Sequence, residues 1–100
     1  MMQAQRLKRT KAPAEKRRLT ELTVKKAKAA AATYQIWDTQ QHGLVLRVRP
    51  TGKKSWYVVY SRGRPRWFYL GDAGAIGLAD TRRLAAKTML AVMEGHDPAA

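Results

Sequence analysis

The sequence of 100 residues contains no cysteine, so a disulfide framework and a thiolate metal site are both excluded. No apolar run approaches the roughly 18 residues of a membrane-spanning helix, and residues 1–18 lack the apolar core of a secretory signal. Acidic residues are few, since 7 Asp and Glu stand against 20 Lys and Arg, and the formal net charge is +13. The lack of a membrane span and of a signal predicts an intracellular protein. The excess of cations predicts a polyanionic partner, for which nucleic acid is favoured over an anionic membrane surface.

The residue types that catalysis requires are absent or badly placed. There is no cysteine nucleophile, no glycine-rich phosphate loop between a strand and a helix, and no cluster of metal-binding carboxylates. His42 and His96 lie too far apart in sequence to form a local metal motif, and we interpret both as surface residues. The sequence therefore predicts a binding module rather than an enzyme, with no catalytic residue, no metal and no cofactor.

Residues 1–18 form a basic segment with almost no large apolar side chain. Because burial cannot offset the ordering entropy of such a segment, we expect a disordered tail in the free protein. Two interpretations stay open: a passive leader, or an arm that becomes ordered on DNA. The candidate DNA-binding residues of this tail are Arg6, Lys8, Arg9, Lys11, Lys16, Arg17 and Arg18.

Residues 19–98 are predicted to form one domain that begins with a short helix. Thr20 is a suitable N-cap for this helix, which we expect over about residues 20–31. From Thr33 onward, apolar residues recur with a period of two, which is typical of half-buried strands. The strands are predicted at residues 44–49, 56–61 and 66–70, with 34–38 as a further one.

A second helix is predicted over residues 78–94, because Gly95 is a suitable C-cap and Pro98 prevents continuation. Pro65 lacks an amide hydrogen and predicts that the last strand lies at the edge of the sheet. The expected fold class is α+β, a three- to four-stranded antiparallel β-sheet packed against a C-terminal α-helix, with a short N-terminal helix. The residues predicted near the inner face of the second helix are Leu84, Thr88, Ala91 and Val92.

The alternation of side chains gives the sheet one apolar and one basic face. We expect the first long hairpin to turn about Gly52, so that Val48 pairs with Trp56 on the apolar face under the helix. Between Gly43 and Trp67 all charged residues are cations. A protein without a functional demand for such segregation would intersperse acids, so this basic face predicts a nucleic-acid surface. The alternative is a solvated face whose cations protect the sheet edges.

Arg47 and Arg49 project from the same side of one strand and are the candidates for contacts inside a DNA groove. Tyr57 is the aromatic residue that is predicted to point to this basic face, and it supports the phosphate contacts. The remaining cations are expected to hold phosphates, mostly from the turns, and they are Lys53, Lys54, Arg62, Arg64 and Arg66.

An ordered series of short motifs runs from about Leu19 to Pro98. It consists of Leu19-Thr20, Val24-Lys25, Tyr34, Asp38, Gly43-Leu44-Val45-Leu46-Arg47-Val48, Gly52-Lys53-Lys54-Ser55-Trp56, Tyr60, Leu70-Gly71, Leu78-Ala79-Asp80, Arg82 and Gly95-His96-Asp97-Pro98. This series resembles the N-terminal arm-type DNA-binding domain of phage and prophage integrases of the tyrosine recombinase family. Two departures are Val59, where the family often has an arginine, and Gly77, where it usually has a serine helix cap.

The resemblance implies sequence-specific binding of duplex DNA that positions a recombinase on arm-type attachment sites for site-specific recombination. Strand cleavage would belong to a catalytic domain beyond Ala100. Expected partners are double-stranded DNA, other integrase protomers and accessory DNA-bending proteins, but no membrane, and the expected location is the bacterial cytoplasm at the nucleoid. The alternatives are an RNA-binding β module and a protein-interaction domain with a solvated basic face.

Overall fold

A computed structural model describes residues 14–100 as one sheet with two helices. The strand order is β1-β2-β3-β4-β5, and all neighbours are antiparallel except the parallel pair β1 and β2. The elements are β1 (Ala14–Arg17), α1 (Glu21–Lys26), β2 (Tyr34–Asp38), β3 (Leu44–Val48), β4 (Lys54–Ser61), β5 (Pro65–Asp72) and α2 (Leu78–Met93). The α+β class, the strand at 34–38 and the edge position of β5 are confirmed, and the sheet has one strand more than predicted. None of the described helices is long and apolar enough to cross a membrane.

The additional strand is β1, where the sequence predicts no fixed structure. Its residues pair in parallel with β2, with Glu15 opposite Ile36, and the Thr39 amide donates to the Arg17 carbonyl at 3.1 Å. These backbone contacts satisfy an edge of β2 that would otherwise need water or another partner. The expected tail thus differs from the structure at residues 14–17, and the expectation for residues 1–13 lies outside the described residues.

Helix α1 ends at Lys26, several residues before the predicted end. Its N-cap is confirmed, because the Thr20 hydroxyl accepts a hydrogen bond from the Thr23 amide at 3.1 Å. Val24 is the buried residue of this helix. The following alanines have a high intrinsic helix propensity. Residues 28–32 are exposed, however, and propensity without packing does not extend so short a helix.

The β3–β4 hairpin has a tighter turn than predicted. Trp56 pairs with Leu46 rather than with Val48, so the predicted register is wrong by two residues. The Arg49 amide donates to the Lys53 carbonyl at 3.0 Å and closes the turn. Because the shift is even, every side chain of the hairpin stays on its predicted face.

Helix α2 packs on the apolar face of the sheet. Thr81 and Ala85 are fully buried, whereas Leu84 is 40% exposed, so the prediction for Leu84 is wrong. Leu78, Thr81 and Ala85 form the buried face of α2, and Leu84 lies outside it. The buried apolar cluster consists of Leu19, Val24, Ile36, Leu44, Leu46, Val48, Trp56, Val58, Tyr60, Leu78 and Ala85.

A distant carboxylate caps the N-terminus of α2. Gly77 occupies the N-cap position without a side chain, and the Leu78 amide donates instead to Glu21 Oε2 at 3.1 Å. The carboxylate satisfies an otherwise unpaired amide and complements the positive end of the helix dipole. Glu21 therefore supplies the cap that Gly77 lacks, and it links α1 to α2.

A buried ion pair fixes α2 to β2. Arg82 Nε donates to Asp38 Oδ2 at 2.9 Å, and Arg82 Nη2 donates to Asp38 Oδ1 at 3.1 Å and to the Leu19 carbonyl at 2.7 Å. The amides of Leu19 and Gln41 also donate to this carboxylate, which is fully buried. Burial alone would raise the pKa of Asp38, but the hydrogen bonds from Arg82 and the backbone amides hold that pKa below 3.8.

Candidate nucleic-acid interface

The face of the sheet opposite α2 carries a mixed aromatic and basic surface, which we call the open face. The strand pairing places side chains from β2, β3, β4 and β5 on this surface, because residues that pair across strands share a face. The open face consists of Gln35, Trp37, Val45, Arg47, Ser55, Tyr57, Val59, Trp67, Tyr69 and Asp72.

Four aromatic rings lie on the open face. The prediction that Tyr57 is the one aromatic residue there is therefore wrong. The centroid of the Tyr57 ring lies 5.6 Å from that of Trp67 and 5.5 Å from that of Tyr69. The Trp37 and Trp67 centroids are 6.4 Å apart, and all three pairs meet edge to face. Val45, which pairs with Trp37 and Tyr57 in the neighbouring strands, is fully buried in this cluster.

The guanidinium group of Arg47 lies among these rings near the centre of the open face. Its Cζ is 5.3 Å from the centroid of Trp67 and 5.7 Å from that of Tyr57. Both distances permit cation–π attraction, which stabilises a positive charge on an aromatic surface. Within residues 14–100, Arg47 Nε is buried without a hydrogen-bond partner.

Cations extend from the open face into the turns at its two ends. Arg49 and Arg64 are exposed, and neither forms an ion pair with another residue of the described chain. Lys53 is also exposed, with Nζ 3.8 Å from Asp72 Oδ1. Tyr69 donates its hydroxyl to the same carboxylate oxygen at 2.8 Å, and this hydrogen bond raises the pKa of Tyr69. The open face thus has an arginine over aromatic rings near its centre and exposed cations at both ends.

A family model described as the arm DNA-binding domain matches residues 19–100. The chain belongs to the arm DNA-binding domain family. Domains of this family are found in phage integrases, so the resemblance drawn from the motifs is confirmed. The arm domain is a DNA-binding module that is not catalytic by itself. No curated protein matches the chain.

Lys54 of the arm domain contacts the protein itself. Its Nζ donates to the carbonyls of Val24 and Lys25 at 2.8 and 3.0 Å, where it satisfies the C-terminus of α1. The sequence could not reveal this contact, because it joins residues about 30 positions apart. DNA binding by Lys54 stays a prediction.

Arg62 and Arg66 of the arm domain share one carboxylate. Their Nε atoms lie 3.7 and 3.3 Å from Asp97 Oδ2, and the Arg66 contact is an ion pair that is not aligned as a hydrogen bond. Arg66 also pairs with Tyr60, which places it on the apolar side of the sheet. Tyr60 donates to the other oxygen of Asp97, and this network ties the C-terminal segment to β4 and β5.

The structure places only part of the predicted basic tail. Lys16 is exposed in β1 beside Trp37, Arg17 forms an ion pair with Glu15, and Arg18 is exposed. Lys16 thus borders the open face of the arm domain. The other candidate residues of the tail lie outside the described residues, and they are Arg6, Lys8, Arg9 and Lys11.

Proposed function

We propose that the arm domain binds duplex DNA sequence-specifically through its open face. The observation that carries this proposal is the Arg47 guanidinium near the centre of that face, with exposed arginines in the turns at both ends. A small sheet fits the roughly 12 Å wide major groove, and arginine can bond the O6 and N7 acceptors of guanine. Helix α2 covers the opposite face of the sheet, so the open face is the one that faces solvent within the described chain.

The cations would have two different roles, contact with DNA bases and contact with phosphates. Arg47 is the candidate for a base contact, because it lies on β3, the central strand of the sheet. Arg49, Lys53 and Arg64 lie in exposed turns and are suited to phosphates, which fix the orientation of the protein without carrying sequence information. Lys53 would first have to break its ion pair with Asp72, which reduces its contribution to DNA affinity.

The arm domain would position a tyrosine recombinase on arm-type attachment sites of a prophage or related mobile element. Support comes from the family, whose members are found in phage integrases. Strand cleavage would then be carried out by another domain, and other integrase protomers and accessory DNA-bending proteins would share the site. Such a protein would act in the bacterial cytoplasm at the nucleoid.

The test compares Arg47→Ala with Lys87→Ala, which removes an exposed cation of α2 as a matched control. The probes are a duplex selected by the wild-type domain from a random pool and a scrambled duplex of equal length. Arg47→Ala is expected to cost about 1–3 kcal/mol on the selected duplex and much less on the scrambled one. Lys87→Ala should change neither affinity appreciably. Titrations at several salt concentrations give both affinities.

Equal losses on both duplexes for Arg47→Ala would contradict base reading by this strand. Salt supplies a second check, because the logarithm of the affinity should fall with the logarithm of salt concentration at a slope near −0.9 for each neutralised phosphate. An affinity that is nearly independent of salt would favour the protein-interaction alternative. Preference for structured RNA over the selected duplex would favour the RNA-binding alternative.

A further inference from the structure

We propose that Trp67 and Tyr57 are positioning residues that hold the Arg47 guanidinium ready for the major-groove edge of a guanine. The inference deepens the proposed function and rests on it. Trp67 comes from β5 and Tyr57 from β4, so three adjacent strands build this aromatic clamp. With this clamp, the DNA site that the domain prefers would contain a guanine at one fixed position.

The clamp determines which atoms of Arg47 can meet a base. Nε is buried beside the rings and has no hydrogen-bond partner in residues 14–100. The terminal nitrogens Nη1 and Nη2 are therefore the donors that remain for a ligand. Two parallel donors at the end of a guanidinium match the O6 and N7 acceptors of guanine, which is the commonest specific contact of arginine in the major groove.

The clamp also acts before DNA arrives. A free arginine side chain has many rotamers and loses them when it binds, which weakens binding. Cation–π contacts with two rings that are themselves packed edge to face restrict Arg47 in the unbound protein. Removal of the clamp should therefore reduce recognition of guanine even though Arg47 is still present.

Tyr69 supplies a matched control on the same face. It is 50% exposed and Trp67 is 38% exposed, so both rings can touch a bound duplex. Trp67 stacks on Arg47, whereas Tyr69 contacts Tyr57 and Asp72. A general loss of aromatic surface and a loss of Arg47 positioning can thus be separated.

The experiment uses the duplex selected by the wild-type domain and versions in which each guanine in turn is replaced by 7-deazaguanine, which lacks N7. Wild-type binding should weaken by roughly 5-fold or more at one guanine, within the range of about 5- to 150-fold that corresponds to 1–3 kcal/mol. Arg47→Ala and Trp67→Leu should both bind the natural duplex more weakly and lose most of this discrimination. Trp67→Phe should recover part of it, and Tyr69→Leu should retain it.

The outcomes separate the two proposals. If no sequence is enriched from the random pool, sequence-specific binding fails and the clamp fails with it. If a sequence is enriched but no 7-deazaguanine weakens binding, or Trp67→Leu keeps full discrimination, only the clamp is overturned.

A second measurement needs no DNA and keeps the proposal testable if Trp67→Leu binds too weakly. In the free wild-type domain, the NMR signal of the Arg47 Nε–H group should show a ring-current shift and restricted motion. Trp67→Leu should move this signal toward that of a solvated arginine, while Tyr69→Leu leaves it near the wild-type position. A wild-type Arg47 side chain as mobile as that of Arg64 would overturn the clamp.

Discussion

Replacement of Asp38 by alanine is expected to lower the free energy of unfolding by about 3–5 kcal/mol, since it leaves the largely buried guanidinium of Arg82 without its carboxylate partner. The carboxylate accepts from Arg82 and from the amides of Leu19 and Gln41, so one substitution frees contacts from α2 and from two loops. Denaturation in urea measures the loss. Asp80→Ala is the control, because Asp80 pairs with Arg83 on the exposed side of α2 and should cost at most about 1 kcal/mol.

The Asp38 carboxyl group should also make the stability of the domain depend on pH. The pKa of Asp38 is lower in the folded protein than the ordinary value of 3.8, so its contribution is present above pH 3.8 and is lost as the pH falls through the lower folded pKa. The free energy of unfolding of the wild type should therefore decrease in this acidic range more steeply than that of Asp38→Asn. Equal pH profiles, or equal costs for Asp38→Ala and Asp80→Ala, would contradict a structural role for the buried pair.

Trp56→Ala should also destabilise the domain by about 3–5 kcal/mol, the usual cost of removing a buried aromatic ring. Trp56 is fully buried between the sheet and α2, and its indole nitrogen donates to the Ile76 carbonyl at 3.2 Å. Trp67→Ala removes the same side chain from the open face, where it is 38% exposed. We expect a smaller loss of stability there and a larger loss of DNA affinity.

Thermal unfolding and DNA titration of the two tryptophan variants decide which face binds. If Trp67→Ala unfolds the domain while Trp56→Ala mainly weakens DNA binding, the core face and the DNA-binding face of the sheet have been interchanged in this account.

The period of two predicts the faces of the sheet well because it depends only on local geometry. Even a hairpin register that is wrong by two residues leaves Leu46 and Trp56 on the apolar face. The same rule could have placed Trp67 and Tyr69 beside Tyr57, since the strand pairing sets Tyr57 opposite Tyr69. The aromatic residues of the open face could therefore have been predicted from the sequence.

Other features depend on contacts between distant residues and leave no local pattern. Glu21 caps a helix that begins 57 residues later, and Lys54 satisfies the end of α1. Strand β1 has a basic composition without an apolar period, and its order comes from pairing with β2. A site list drawn from charge alone therefore includes cations such as Lys54 and Arg66 that already contact protein groups.

The central claim is that DNA meets the open face, and an NMR titration of the ¹⁵N-labelled domain with its selected duplex tests it most directly. The indole Nε1–H signals of Trp37 and Trp67 should shift strongly, because both rings lie on that face. The indole signal of Trp56, bonded to the Ile76 carbonyl in the core, should stay nearly unchanged. Large shifts confined to the outer side of α2, with the Trp37 and Trp67 signals unmoved, would contradict the account.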